Sequence, residues 1–504
     1  MGVIIPQPGT KLTVGELRET HFLYQDNIDE YKFLLACYEG IRSILKLGKI
    51  TKHERESEEN WAARKENLYS FEYTKAVIDL LNFYLFKKPV VRDFGKLDKD
   101  DKFLKFMEDC NLYEDSFDTW LFEQNRYTSI EGFVGVLIDK SSKKYDTRKE
   151  ELEAGVYPYV SSYFPTNIYD WVYDKDEANR PFLAYLKVYD DDGQYRLWWP
   201  DRFEIWEEPE QTDEKDKVTL ESEAELIFGE KHPLGEIPFV WMQNIKHRQK
   251  PLGISDVHGV ARLDLSIIRN LSQGEEVIDY GAFPMMRKPK VDYKPGSSGV
   301  EQEDLVGEKA VLTFDPENPD SKPDWLSAAV KEPIDAILSW LERKVNEIYR
   351  CVNVGGMAGT EISKTAKSGV ALKTEFQMLN SLLVRKAINL EKAEERILYF
   401  WGKWEGIDAN EVSVQRERSY DVEDLASDLE NLLTSTLIVK SETFGKEVQK
   451  TAAKMSLPAL DEEVIEKINE EIDAQEEDDD EYEIYDEEQQ LPPPQQQNPD
   501  EEIE

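Results

Sequence analysis

The sequence predicts an α+β fold, in which a mixed region of helices and strands is followed by long helices that flank a small β-rich insert. Three observations carry this. Residues 1 to 250 mix helical and alternating hydrophobic patterns. From Ser255 onward the period becomes that of long helices. Phe283 to Ala328, between two of those helices, is dense in proline, glycine and turn signals.

In chain order, "NLYSFEYTKAVIDLLNFYLFKKPV" (Asn67 to Val90) is an amphipathic helix stopped before Pro89. "DSFDTWLFEQNRYTSIEGFVGVLID" (Asp115 to Asp139) reads as a helix running through Gly132 into an apolar strand. "FLAYLKVYDDDGQYRLWWPDRFEIWEE" alternates aromatic and polar residues on both sides of Asp191-Asp192-Gly193, the pattern of an antiparallel hairpin or meander. Its Trp198, Trp199 and Trp206 read as packing residues rather than a ligand platform. The three aspartates are not a calcium loop, because Val188 stands where the first ligand belongs.

Ser255 is a candidate N-cap for a helix of about 28 residues, roughly 40 Å long. In the insert that follows, the apolar strand "AVLTF" is bounded by turn signals. A second long helix then carries one apolar stripe, Ile334, Leu338, Leu341, Val345, Ile348 and Val352, with Pro333 in its first turn and Gly355 at its C-terminal cap. A stripe this narrow faces another helix, which predicts an intrachain helical hairpin with Ser255 to Ala282. A third helix covers Ser368 to about Trp404, roughly 50 Å if unbroken, and the drift of its apolar positions predicts a kink or two packing partners. "EVSVQRERSY" reads as a strand, Val422 to Ile472 as short helices, and the acidic, proline- and glutamine-rich remainder as disordered.

The 504 residues carry a formal charge of −42. The tail from Asp473 to Glu504 holds 15 acids and no Lys or Arg, so removing its −15 from −42 leaves −27 on the rest. A protein that grips nucleic acid presents a basic surface to neutralise phosphates. This composition argues against a DNA-binding regulator and suits a surface that DNA slides past. No apolar run is long enough to span a membrane, and the N-terminus lacks secretory and myristoylation patterns. Three scattered cysteines, Cys37, Cys110 and Cys351, suggest a reducing compartment without a disulfide or zinc framework.

Enzyme motifs are not evident. The histidines at 21, 53, 232, 247 and 258 have no paired-ligand spacing, "GSSG" (Gly296 to Gly299) is not a nucleophile elbow, and no GxGxxG occurs. Asn353 to Leu372 holds three glycines and Lys364-Thr365, which raises the question of a phosphate loop. Counting from Gly355, Gly356 or Gly359 never places glycine, lysine and Ser/Thr in the required register. No catalytic residue, cofactor or metal is therefore expected. Paired carboxylates prove nothing in a chain with 104 acids, and read as solvated faces.

The order of "YTKAVIDLLNFYLFKKPV", "SIEGFVGVLID", "YFPTNIYDW", "HPLGEIPFVWMQN", "PLGISDVHGVARLDLSIIRNLSQ" and "SGVALKTEFQMLNSLLVRKAINLEKAEERI" resembles the portal (head-tail connector) proteins of tailed bacteriophages, of the siphovirus type, over most of residues 60 to 440. The resemblance implies the portal fold. Its parts here are an N-terminal arm (1–60), an α/β wing (61–254), a first stem helix (255–282), a β-rich clip (283–327) and a second stem helix (328–354). A tunnel loop (355–367), a long kinked helix with a wing strand (368–421), a helical crown (422–472) and a disordered acidic tail (473–504) follow.

It also implies a homo-oligomeric ring, typically a dodecamer, at one capsid vertex, with a channel for packaging and ejecting double-stranded DNA. Implied partners are DNA held transiently without sequence readout, the terminase large subunit, a head-completion or adaptor protein, and capsid and scaffolding proteins. Location would be the virion, with assembly in the host cytoplasm and no membrane. The tunnel loop would offer Gly355, Gly356, Met357, Ala358, Gly359, Thr360, Glu361, Ser363, Lys364, Thr365 and Lys367 to the channel, and the clip would offer Arg287, Lys288 and Lys290 to partners or DNA. Glycines in that loop would act as hinges. Two other readings stay open. One is a nucleotide-hydrolysing DNA packaging enzyme with a degenerate P-loop at Lys364-Thr365; the other is an acidic adaptor or scaffold working through its tail.

Overall fold

The computed structural model describes residues 5–54, 56–143, 145–190, 192–209, 219–282, 285–287, 324–326, 331–352, 369–418, 420, 441–456 and 462–474. The chain forms two units, Met1–Asp421 and Val422–Glu504. The first begins with helices α1 (Val14–Arg18), α2 (Phe22–Glu39), α3 (Ile41–Lys46), α4 (Glu58–Glu66) and α5 (Tyr73–Phe86). Strand β1 (Val91–Asp93), helices α6 (Asp101–Glu108) and α7 (Phe117–Glu131), strand β2 (Phe133–Asp139), helix α8 (Arg148–Glu153) and strand β3 (Tyr159–Tyr163) follow. A meander comes next: β4 (Ile168–Lys175), β5 (Pro181–Tyr189), β6 (Tyr195–Trp199), β7 (Arg202–Glu207) and β8 (Glu225–Lys231). After β9 (Phe239–Gln243), β10 (Ile245–Lys246) and β11 (Gly253–Ile254) the long elements start. They are α9 (His258–Ala282), β12 (Met285–Arg287), β13 (Asp324–Leu326), α10 (Lys331–Cys351), α11 (Gly369–Glu405) and β14 (Ser413–Gln415).

The α+β expectation holds, and the transition predicted near Gly132 is where the body is anchored. Ser116 caps α7 by accepting from the Thr119 N–H, and Gly132 ends it at φ +94°. β2 is the central strand between β3 and β9, both antiparallel to it, and is buried at all seven positions because its alternate residues pack into two core clusters, Val134, Val136 and Ile138 in one and Phe133 and Leu137 in the other. A Cβ on Gly132 would lie 2.6 Å from the Gly253 carbonyl oxygen, and one on Gly253 would lie 1.8 Å from that of Gly132. Two backbones thus cross where neither can carry a side chain. Gly253→Ala is expected to cost more than about 2 kcal/mol in a denaturant titration, against about 1 kcal/mol or less for Gly48→Ala, whose Cβ would meet nothing within 4 Å.

The meander is a five-stranded antiparallel sheet in sequence order. Alternation along β6 puts Tyr195, Leu197 and Trp199 on one face and Trp198 on the other. The first face is covered by the N-terminal segment: Leu12 and Leu17 pack there, Trp199 Nε1 donates to the Pro6 carbonyl at 3.1 Å, and the Gly9 N–H donates to Glu204 Oε1 at 2.7 Å. On the second face Trp198 packs with Leu23, Tyr31, Phe133 and Trp171. The three tryptophans are packing residues, as their alternation predicts.

Two expected helices owe their limits to distant residues. The one predicted over Asn67 to Val90 is α5, whose first turn has no local cap: Glu72 sits at φ +54° and its side chain makes no capping bond. Asp264 of α9 supplies the cap, accepting from the Thr74 N–H at 2.9 Å and the Thr74 hydroxyl at 2.7 Å. The third long helix, α11, runs unbroken for 37 residues. Its apolar drift reflects several packing partners: Trp401 Nε1 donates to the Pro158 carbonyl at 3.0 Å and Trp404 Nε1 to that of Ile138 at 2.8 Å, while another side holds β14.

That second side is acidic, contrary to the solvated-face expectation. Glu391 accepts from the Arg416 N–H at 2.6 Å, Glu395 from the Val414 N–H at 3.2 Å, and the fully buried Glu394 from Arg92 Nε at 2.9 Å and from Arg416. Carboxylates three and four residues apart share one helix face, and here that face clamps a strand. The second unit contains helices Glu442–Ser456 and Glu462–Ala474, joined by a Lys450–Asp473 ion pair at 2.6 Å.

Candidate functional surface: a helical stalk and its buried root

α9 leaves the body and α10 returns to it. Lys344 meets Ser266 near the body and Ile337 faces Gly274 farther out, so the helices run antiparallel, as the hydrophobic stripe predicts. The β12–β13 pair continues the same antiparallel step, with Met285 opposite Leu326 and Arg287 opposite Asp324. In sequence, the ribbon of β12 and β13 lies between the two helices of the hairpin.

Burial divides the stalk. Near the body, Val260, Ala261, Ile267, Ile268, Ile348 and Val352 are buried in the main core. Farther out, apolar side chains are uncovered: Ile278 is 46% exposed, Leu338 57% and Trp340 52%. Of the predicted stripe, Ile348 and Val352 are buried, Ile334, Leu341 and Val345 half-buried, and Leu338 open. Among the described residues α9 buries the root of this stripe fully and its outer part only in places, leaving Leu338 and Trp340 open.

The root is held by buried polar groups. Lys386 of α11 donates to Ser129 Oγ at 2.7 Å and pairs with Asp256, both partners of that ion pair being nearly inaccessible. Asp256 Oδ1 accepts from Asn244 Nδ2 at 2.8 Å, the Asn244 carbonyl accepts from Asn389 Nδ2 at 2.8 Å, and the Asp256 N–H donates to the Ser129 carbonyl at 3.0 Å. The "Gly-Ile-Ser-Asp" lead-in to the first long helix therefore ties three elements together: the end of α7, the start of α9 and the middle of α11. Asp264, about two turns further along, is buried, and burial raises its pKa despite its bonds to Thr74. Lys344 Nζ donates to Ser266 Oγ at 2.8 Å, and burial lowers its pKa. On the flank, Arg64 of α4 makes a paired contact with Glu56 at 2.6 and 2.8 Å and reaches Glu276 of α9 at 3.3 Å, with its guanidinium 4.5 Å over the Trp61 ring.

Several sequence-predicted residues lie outside the described residues: Gly355, Gly356, Met357, Ala358, Gly359, Thr360, Glu361, Ser363, Lys364, Thr365 and Lys367 of the expected tunnel loop, and Lys288 and Lys290 of the expected clip, as does the strand "AVLTF". For Arg287 only the backbone is described, paired with Asp324. Sequence reasoning missed Ser129, Asp256, Asp264 and Lys386. Asp256 had a signal in the motif before the helix, whereas Lys386 reads as one more charge on an amphipathic helix. Chemically this is a braced post. Among the described residues no group of three or more His, Cys, Asp or Glu could hold a metal ion, and no helix is long and apolar enough to cross a membrane.

Over residues 23–478 the chain matches the protein family described as "Phage portal protein, SPP1 Gp6-like". No curated protein matches its sequence. Among solved structures, a chain of "Neck of empty GTA particle computed with C6 symmetry" is 12% identical, with a TM-score of 0.41, covering 72% of this chain and 85% of that chain. A chain of "Virion of native gene transfer agent (GTA) particle" is also 12% identical, TM-score 0.41, with 72% and 84% covered. A third, from "Neck of native GTA particle computed with C12 symmetry", is 9% identical, TM-score 0.41, with 73% and 86% covered.

Proposed function

This chain belongs to the SPP1 Gp6-like phage portal proteins, and from that premise we propose that it closes into a ring of identical subunits at one capsid vertex, passing double-stranded DNA through its axis. α9 and α10 are the stem, residues 283–327 the clip, residues 355–367 the tunnel loop and residues 422–472 the crown. The ring is a dodecamer in the virion, assembled in host cytoplasm. Its clip side meets the terminase large subunit and later a head-completion or adaptor protein, and its body meets capsid and scaffolding proteins.

One observation carries the ring: Ile278, Leu338 and Trp340 stand uncovered on a stalk whose root is rigidly buried. Apolar surface rimmed by charge on a projecting helix is stabilised by burial against a neighbouring copy. A charge of −27 outside the tail supports conduction rather than capture, because the channel wall then repels phosphates and only a few cations, such as Lys364 and Lys367, brush the backbone.

Negative-stain microscopy of the purified protein tests this and is expected to show rings with a central hole. Leu338→Glu is expected to reduce ring yield at least tenfold by sedimentation velocity, with the helix content of the subunit unchanged. A uniform monomer from the unsubstituted protein, or intact rings from the variant, refutes the assignment of this face. The ring hydrolyses no nucleotide, so ATP turnover that is abolished by Lys364→Ala would favour the packaging-enzyme reading instead.

A further inference from the structure

Between the N-terminal segment and strands β4 to β7 lies an open cleft of about 610 Å³, bordered by tyrosines and carboxylates. The rings of Tyr169 and Tyr189 stack with centroids 5.4 Å apart and planes at 18°, and Tyr195 packs on both, 5.8 and 4.8 Å away. Tyr24 extends the wall, 5.4 Å from Tyr169. Arg18 is committed to Glu208, with Nε donating to Oε1 at 2.7 Å and a second contact at 2.5 Å, and the Tyr195 hydroxyl donates to the same carboxylate at 2.9 Å. Glu207 accepts only from Gln194 Nε2, at 2.6 Å, and it and Asp192 have no ion pair among the described residues.

The cleft therefore combines electron-rich ring faces with an excess of negative charge. Phosphates, nucleotides and DNA are repelled by it. A cation is attracted twice, by the ring quadrupoles and by the carboxylates. Guanidinium fits better than ammonium: it is planar, stacks flat on an aromatic face, is weakly hydrated, and offers a fork of N–H donors to Glu207. The volume exceeds one side chain and leaves room for the backbone that carries it. We propose that this cleft binds an arginine side chain presented by a basic segment of a partner protein, its guanidinium lying against the Tyr189 ring where that ring lines the cleft and donating to Glu207. The site is remote in sequence from the stalk, and it stands or falls independently of the ring.

Saturation-transfer NMR on the full chain tests the proposal with N-acetyl-arginine amide, its uncharged isostere N-acetyl-citrulline amide, and methyl α-glucoside. Expected is saturable transfer to the arginine side-chain methylenes with half-saturation on the order of millimolar. It weakens at least tenfold in Tyr189→Ala and in the rim variant Glu207→Gln, and falls in about 0.5 M salt. Equal transfer to the citrulline compound, transfer to the glucoside alone, or a signal unchanged in Glu207→Gln overturns it. Glu207→Gln keeps the test valid should loss of Tyr189 disturb the sheet, since the Glu207 side chain packs in no core cluster.

Discussion

Lys386→Met destabilises the first unit by about 3–5 kcal/mol, the cost of leaving Asp256 buried and charged without its cation. The magnitude follows from burial: Lys386 and Asp256 side chains are 1% and 3% exposed, so neither solvent nor salt can replace the lost partner. Methionine fills the space of the aliphatic stem, which confines the change to the charge. Adding Asp256→Asn should recover most of the loss, because it removes the buried charge and leaves a side-chain oxygen for Asn244 Nδ2 to donate to. Urea titrations of the two single variants and the double variant measure the coupling. A single-variant cost below about 1 kcal/mol, or strict additivity of the two substitutions, would sink the idea that this pair fastens the stalk to the body. Hydrogen exchange supplies a local readout, with the first turns of α9 losing protection before the meander does.

The second large effect is a pH dependence centred on Glu131. It is the last residue of α7, its side chain is 1% exposed, and neither carboxyl oxygen has a hydrogen-bond partner among the described residues. Burial first, and the charge of Glu39 second, raise its pKa to about 8. In the unfolded chain a glutamate titrates near pH 4.3. Between those two values the folded protein holds a proton that the unfolded chain has released. Stability is therefore fully present at acid pH and falls as pH rises through the window, by about 1.4 kcal/mol per unit and several kcal/mol in all. Glu131→Gln keeps the shape and removes the titration. Its melting temperature is expected to overtake that of the unsubstituted protein progressively from pH 5 to pH 9. Parallel melting curves for the two proteins across that range would falsify the assignment.

The stalk was the most legible part of the chain because its signal is local. Ile334 to Val352 repeat with the period of a helix whatever surrounds them, and the apolar run after Gly132 can only be an inner strand, so the helical hairpin, the α7–β2 transition and the meander all follow from spacing. Where cover ends is not local. Leu338 and Ile348 belong to one stripe, yet one is open and the other buried, since only the root of α10 meets the body.

The same distinction applies to charge. Glu391, Glu394 and Glu395 look like three more acids in an acidic protein, and only the return of β14 against α11 turns them into a clamp. Ser129, Asp256 and Lys386 are far apart in the chain and meet through tertiary packing. By itself, then, the sequence determined the fold class, the element order and the family likeness, all of which rest on patterns read within a few turns or strands. Which charges are buried, what caps α5 and which apolar residues of the stalk stay open were settled by packing between separate elements, and such pairings leave no periodic trace in the chain.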